Sequence, residues 1–351
     1  MKVAIKFGSL DVTPDGEVAG FEAGDTLVRR LLRFFPTAQL IAAQPQSYPE
    51  VEVVSLETLD AANTVVVNMD VADSVEVWHH LRAQVEHPQI MNFIWWDSTR
   101  FDHPIETAEL ALSCALFPTF ANSDRTARAV AASVRRWMVP QLAERARISG
   151  VNLGIRWERL QPRQEPEVPV VLYPAIYVSE RKQPEIFVEI VTKVAKRTPI
   201  LVEARLAEAH LVSDVAMKLS HERWAKVGPL ASRDDYWVAL AGTTAFVATA
   251  REESYGLEYL EAMCAGAIGI FPDREWVHAL LPANYPFIYR NVTKAASLLH
   301  RAVTETAACR SELDAIADGD FLAWLRTHHS DDSFETAITE HITSWFGEID
   351  A

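Results

Sequence analysis

Short apolar runs alternate with amphipathic stretches along almost the whole chain. KVAIKF (2–7), AQLIAA (38–43), TVVVNM (64–69) and IMNFIWW (90–96) read as strands. Between and after them, DTLVRRLLRFF (25–35), VEVWHHLRAQV (75–85) and TARAVAASVRRWM (126–138) read as helices. Such alternation predicts an α/β fold with parallel sheets. The pattern breaks at VNLGIRWERLQPRQEPEVP (151–169), rich in prolines and charges, which reads as a linker between domains. A second set follows: strand VVLYPAI (170–176), helix PEIFVEIVTKVAKR (184–197), strand PILVEA (199–204), the region around WAKVGPL (224–230) and strand AFVATA (245–250). The tail, with FLAWL and FETAITEHITSWF (334–346), reads as helical.

The stretch REESYGLEYLEAMCAGAIGIF (251–271) carries the first chemical signal. Residues 257–265 hold good helix formers and no proline, Gly266 suits a left-handed cap, AIGIF reads as the next strand, and Pro272 is expected to stop it. At about 100° per residue, Leu257, Leu260, Glu261 and Cys264 share one stripe, which puts a carboxylate among apolar side chains. A buried carboxylate costs several kcal/mol unless it finds hydrogen-bond donors. Glu253 sits in the loop before the helix. Gly256 allows a close backbone approach, and the N–H groups of the first helical turn attract an anion. The unit reads as a phosphate cradle flanked by two acceptors for hydroxyl groups.

Composition narrows the setting. The 351 residues suffice for two domains, and 49% of them are hydrophobic, ten being tryptophan, which argues against a disordered chain. Three scattered cysteines without a CxxC argue for a reducing compartment and against a zinc site. The chain starts directly in a strand-like run, with no signal-peptide pattern, so a cytoplasmic location is expected. A formal net charge of −15 disfavours broad nucleic-acid binding, although one basic face could suffice for it.

EESYGLEYLEAMCAGAIGI resembles the signature of retaining GT-B glycosyltransferases of the family 4 type: a glutamate, seven residues, a glutamate, usually written EGFGL–LEAMA–G–PV. Glu253 and Glu261 have that spacing, and Leu260, Ala262, Met263 and Gly266 match as well. SGVNLGIRWERLQP (149–162) is similar to the family's interdomain element. KVGPLASRDDYWVALAGTTAFVATA (226–250) resembles its segment beside the nucleotide base. The likeness covers roughly 150–300; before 150 it is topological.

The resemblance implies two Rossmann-like domains facing a central cleft: 1–155 together with a C-terminal helix (334–351) that crosses back, and 156–333. It implies a retaining transferase that moves a hexose from a UDP- or GDP-sugar, with no metal or other cofactor. Glu261 would hold the ribose, Glu253 a hydroxyl of the donor sugar, and Ser254, Tyr255, Gly256 and Leu257 would line the sugar and diphosphate. Base contacts would come from backbone near Gly228 and Leu230. The family's diphosphate clamp is an arginine and a lysine. Lys182 fits the lysine in AIYVSERKQPE, Tyr177 stands where the arginine belongs, and Arg181 is the candidate substitute. On the acceptor side the family implies a glycine-bearing first loop, here with Gly16 and Gly20, and a histidine facing the sugar. IWWDSTRFDH offers Trp96, Asp97 and His103 instead. In the family's mechanism the protein supplies positioning and stabilises the departing diphosphate.

The acceptor stays open: a sugar, a glycerate-like acid, a lipid, a protein or a modified nucleobase. Arg125, Arg128, Arg135, Arg136, Arg145 and Arg147 (124–147) form a basic amphipathic segment able to meet an anionic membrane or a phosphorylated acceptor; a solvated helix face is the plainer reading. DGD (318–320) reads as a helix cap, and the histidine pairs 79–80 and 328–329 as surface or packing residues. Two other functions share these features: a nucleotide-sugar epimerase or sugar phosphorylase, and a catalytically silent subunit that binds a partner.

Overall fold

The computed structural model describes the chain apart from residues 9, 21–22, 50, 98–100, 102, 231 and 349–351. It divides into two compact units, Met1–Asn152 with Asp332–Ala351, and Leu153–Asp331.

Unit 1 runs β1 (Lys2–Lys6), α1 (Ala23–Phe34), β2 (Gln39–Ile41), β3 (Gln46–Ser47), β4 (Glu52–Val54), β5 (Thr64–Asn68), α2 (Ser74–Arg82), β6 (Gln89–Ile94), α3 (Pro104–Leu116), β7 (Thr119–Ala121), α4 (Asp124–Trp137), α5 (Pro140–Ala143) and β8 (Ile148–Gly150). Its sheet has the order β3-β4-β2-β1-β5-β6-β7-β8, parallel except for β3 against β4. Both faces are covered by helices, so every residue of β5 is buried, and three of its five are valine.

Unit 2 runs β9 (Val170–Tyr173), α6 (Pro184–Ala195), β10 (Leu201–Leu206), α7 (Asp214–Ser220), β11 (Ala225–Pro229), α8 (Arg233–Gly242), β12 (Ala245–Val247), α9 (Leu257–Cys264), β13 (Ile268–Pro272), α10 (Glu275–Leu280), β14 (Ile288–Tyr289), α11 (Val292–Thr304), α12 (Thr306–Ala315) and α13 (Phe321–His328). Its sheet is parallel throughout, in the order β11-β10-β9-β12-β13-β14. β13 ends at Pro272, which is still its last residue, in register with Tyr289. It lies at the strand's end, where a missing N–H is tolerated.

The last helix, α14 (Asp331–Phe346), belongs from Asp332 onward to unit 1. Phe334 is fully buried there, with ring centroids 5.9 Å from Phe34, 6.1 Å from Phe93 and 6.0 Å from Phe120. Ile338 and Ile342 continue the same buried stripe at helical spacing. The proline-rich stretch after 152 is no free tether. Leu153 and Ile155 are buried, Gln164 N donates to Ala241 O, and the Arg163 guanidinium donates to Thr243 O and Ala265 O. Asp320 accepts from Ala323 N and so caps α13, as the spacing of DGD predicts. The three cysteines are all buried and unbridged. Among the described residues no helix is long and apolar enough to cross a membrane.

Candidate active site

The strand order of unit 2 makes the carboxyl ends of β9 and β12 its topological switch point. Crossovers from these neighbours leave in opposite directions, and their loops flank a crevice. The β9 loop carries Lys182 and the β12 loop carries Glu253. Thr249 Oγ1 donates to Lys182 O at 2.6 Å, and Arg251 N donates to Arg181 O at 2.9 Å, so the two loops are knitted together. Gln183, at φ 47°, then turns the chain into α6, whose first residue is Pro184.

These contacts bring the two predicted side chains into direct bonding. Lys182 Nζ donates to Glu253 Oε1 at 2.5 Å and to Glu258 Oε1 at 2.7 Å. Tyr259 Oη donates to the same Glu253 oxygen at 2.7 Å. The rings of Tyr177 and Tyr259 each lie 5.7 Å from the ammonium. Burial opposes the charge on Lys182, but the two carboxylates outweigh it and hold its pKa well above 10.5. Glu253 is pushed up by burial, against the pull of Lys182, and the nearby Glu258 adds to the rise.

Gly256 starts α9 with φ 90°, and a Cβ there would come within 2.8 Å of the Tyr259 ring, so only glycine suits the turn. Glu258 therefore falls in the first turn of α9, beside Lys182. One turn on, Glu261 is only 5% exposed, as the stripe predicts. It has a donor within the protein: Tyr236 Oη, from α8, at 2.7 Å. Burial and the Glu261 carboxylate together raise Tyr236 well above 10, so the phenol keeps its proton and donates. The Arg233 guanidinium lies over the Tyr236 ring, 5.6 Å from its centroid. No motif announces Glu258, Tyr259 or Tyr236 as members of this cluster; Glu258 alone leaves a trace in the sequence, as an acid in the first turn of a helix.

The remaining candidates are spread more widely. Ser254 and Leu257 are half-buried beside the cluster. Tyr255 turns its side chain away into the packing of α13, where its Oη meets His329 Nδ1 at 2.6 Å. Arg181 is exposed, and Tyr177 is 42% exposed. Gly228 faces open space on β11, and Leu230 N is already bonded to Leu206 O at 3.0 Å. In unit 1, Trp96 and Asp97 are half-buried just beyond β6, with the Trp96 ring edge-on to Phe101 at 5.3 Å. His103 caps α3, its Nδ1 accepting from Ile105 N at 3.3 Å. Gly16 (φ 89°) closes a small turn, and Gly20 (φ 87°) abuts the Asp25 carboxylate. The switch point of unit 1, at the ends of β1 and β5, holds an ion cluster that no motif signals. Lys6 Nζ donates to Asp70 at 2.8 Å and to Asp73 at 2.6 Å. Arg128, Arg135, Arg136, Arg145 and Arg147 are exposed, Arg125 half-buried, with Trp137 and Val139 exposed among them.

The chain superposes on known structures over nearly its whole length. Sucrose-phosphate synthase from Thermosynechococcus elongatus superposes with a TM-score of 0.71 at 12% identity, over 98% of this chain and 99% of that one. The Anabaena HepE protein, solved with UDP and glucose, gives 0.70 at 12% identity over 98% and 100%. The chain has the GT-B fold. A UDP-forming α,α-trehalose-phosphate synthase from Burkholderia xenovorans, solved with glucose-6-phosphate, gives 0.67 at 10% identity over 98% and 100%. No family model matches the sequence, and no curated protein matches it.

Proposed function

We propose that the chain is a retaining glycosyltransferase that moves a hexose from a UDP- or GDP-sugar to an acceptor hydroxyl without a metal. The observation that carries this reading is the cluster at the switch point of unit 2: a buried lysine hydrogen-bonded to Glu253 beside the start of α9, with the buried Glu261 one turn further on. Structures of the same fold are named for making sugar phosphates or were solved with UDP, which favours a nucleotide-sugar donor.

In this reading the C1–O bond to the diphosphate breaks as the acceptor oxygen bonds C1 from the same face. The acceptor proton passes to the departing phosphate oxygen. Lys182 and the first turn of α9 stabilise the charge that develops there. Glu253 orients the sugar, and Glu261, steadied by Tyr236, takes the ribose hydroxyls. Asp97 and Trp96 are the acceptor-side residues of this reading, and the acceptor's own chemistry is left open. The exposed arginines of α4 and its following segment, with Trp137 and Val139 beside them, suit an anionic partner surface.

A thermal-shift panel with UDP, GDP, ADP and dTDP, each with and without magnesium, tests this reading. One nucleotide at a hundredfold excess over its Kd should stabilise the protein by about 2.7 kcal/mol, independently of magnesium. No shift with any of them would favour the silent-subunit reading, for which Tyr177 in the arginine's place is the supporting observation. Glu261→Ala should weaken the binding of that nucleotide by about ten- to a hundredfold, the worth of hydrogen bonds to a charged group. Unchanged affinity would remove Glu261 from the ribose.

A further inference from the structure

We propose that Glu258 is a built-in counter-ion for Lys182, one that an incoming diphosphate must displace, and so a specificity-determining residue of the donor site. The inference rests on the donor-site reading above.

The ammonium of Lys182 is shared between two carboxylates, at 2.5 Å from Glu253 and 2.7 Å from Glu258. One positive charge against two negative ones leaves the cluster net negative at the place where a diphosphate needs a cation. The two acids are not equivalent. Glu253 is held on the inner side: its side chain is 12% exposed, and it also accepts from Tyr259 Oη. The Glu258 side chain is 31% exposed. It can swing to water at the cost of one partly screened ion pair, whereas Glu253 would have to be desolvated anew and would strand Tyr259 Oη.

Glu258 also occupies the chemistry a phosphate would use. It lies in the first turn of α9, where backbone N–H groups and the helix dipole favour an anion, and it bonds the lysine from there. A nucleoside lacking phosphates has no quarrel with Glu258; a diphosphate does. Displacement therefore lowers affinity for free nucleoside diphosphate without touching the ribose and base contacts. Once displaced, Glu258 is also positioned to return to Lys182 as the diphosphate leaves, which favours product release.

The test measures binding of UDP and uridine, and of GDP and guanosine, to the unaltered protein and to Glu258→Gln, by calorimetry at fixed salt. The amide keeps the shape and removes the charge. For the nucleotide that binds, the variant should bind the diphosphate about tenfold more tightly, while the nucleoside changes less than twofold. Glu258→Ala should show the same selective gain. Diphosphate affinity that is unchanged or weaker in both variants, with nucleoside binding intact, overturns the counter-ion role and leaves the donor-site reading standing. If neither the unaltered protein nor the variants bind any of the four, the donor-site reading fails and the proposal falls with it.

Discussion

Replacing Lys182 with methionine should lower the melting temperature by about 10 °C and cut donor-sugar turnover at least a hundredfold. The two effects have one origin. Lys182 is buried, and its ammonium is hydrogen-bonded both to the nearly buried Glu253 and to the more exposed Glu258. Breaking a buried pair by removing one partner costs about 3–5 kcal/mol, because the charge left behind has no compensation. For a unit of this size each kcal/mol moves the midpoint by roughly 2–4 °C. The pH dependence identifies the cause. Glu253 already sits above its ordinary carboxylate value, and loss of the lysine raises it further. A carboxyl raised in the folded state favours folding below its unfolded pKa, and that advantage is lost as pH rises through the folded one. The deficit of Lys182→Met should therefore be largest near pH 8 and shrink toward pH 5. Adding Glu258→Gln should restore part of the stability and none of the turnover, since in the proposed reading the cation that meets the leaving diphosphate is still missing. Turnover is read as release of nucleoside diphosphate from the nucleotide-sugar. A variant that melts normally at pH 8 would show that the two carboxylates do not depend on Lys182.

Much of this architecture is legible in the sequence because the physics behind it is local. Strands buried on both faces must be apolar along their length, so TVVVN and AFV announce themselves. Glu261 is predicted as buried from helical spacing alone, and it is 5% exposed. Partnership across the sheet is another matter. Lys182 and Glu253 are 71 residues apart, and only the order of β9 and β12 makes their loops adjacent. Tyr236 reaches Glu261 because α8 precedes β12 and α9 follows it, a relation no spacing rule encodes. The linker reading of 151–169 rested on prolines and charge. It missed that Arg163 has carbonyls waiting at Thr243 and Ala265, which lie far along the chain. His103 is offered as an acceptor-side residue by the resemblance alone; its place as the cap of α3 is a local feature that the resemblance does not encode.

His329 is a second place where a long-range partnership fixes the chemistry, and it should make unit 2 sensitive to acid. Its Nε2 faces Leu280 O at 3.1 Å. A carbonyl only accepts, so Nε2 carries the hydrogen, Nδ1 of the neutral ring is the acceptor, and Tyr255 Oη donates to it. Burial drives the pKa down to about 4; the Leu280 carbonyl opposes the fall and neighbouring His328 adds to it. In the unfolded chain the ring takes a proton near 6.5. As pH falls from 6.5 toward 4 the unfolded state binds the proton first, and stability is lost, by about 3 kcal/mol over that window. His329→Phe removes the titration but strands Tyr255 Oη and the Leu280 carbonyl. It should be less stable at pH 7 by about 2–4 kcal/mol, yet its curve should fall less steeply below pH 6.5, so the two proteins converge near pH 4.5. Urea unfolding at four pH values measures this, and parallel curves would remove His329 as the source. The consequence reaches the site. Tyr255 lies two residues after Glu253, while His329 O accepts from Ile155 N at 2.8 Å, and Gly154 lies so close to the Asp331 backbone that a Cβ would come within 2.1 Å of it. The His329 ring thus ties the loop of Glu253, through Tyr255, to the Leu280 carbonyl, while its backbone carbonyl holds Ile155; protonation of the ring should weaken the Tyr255 contact.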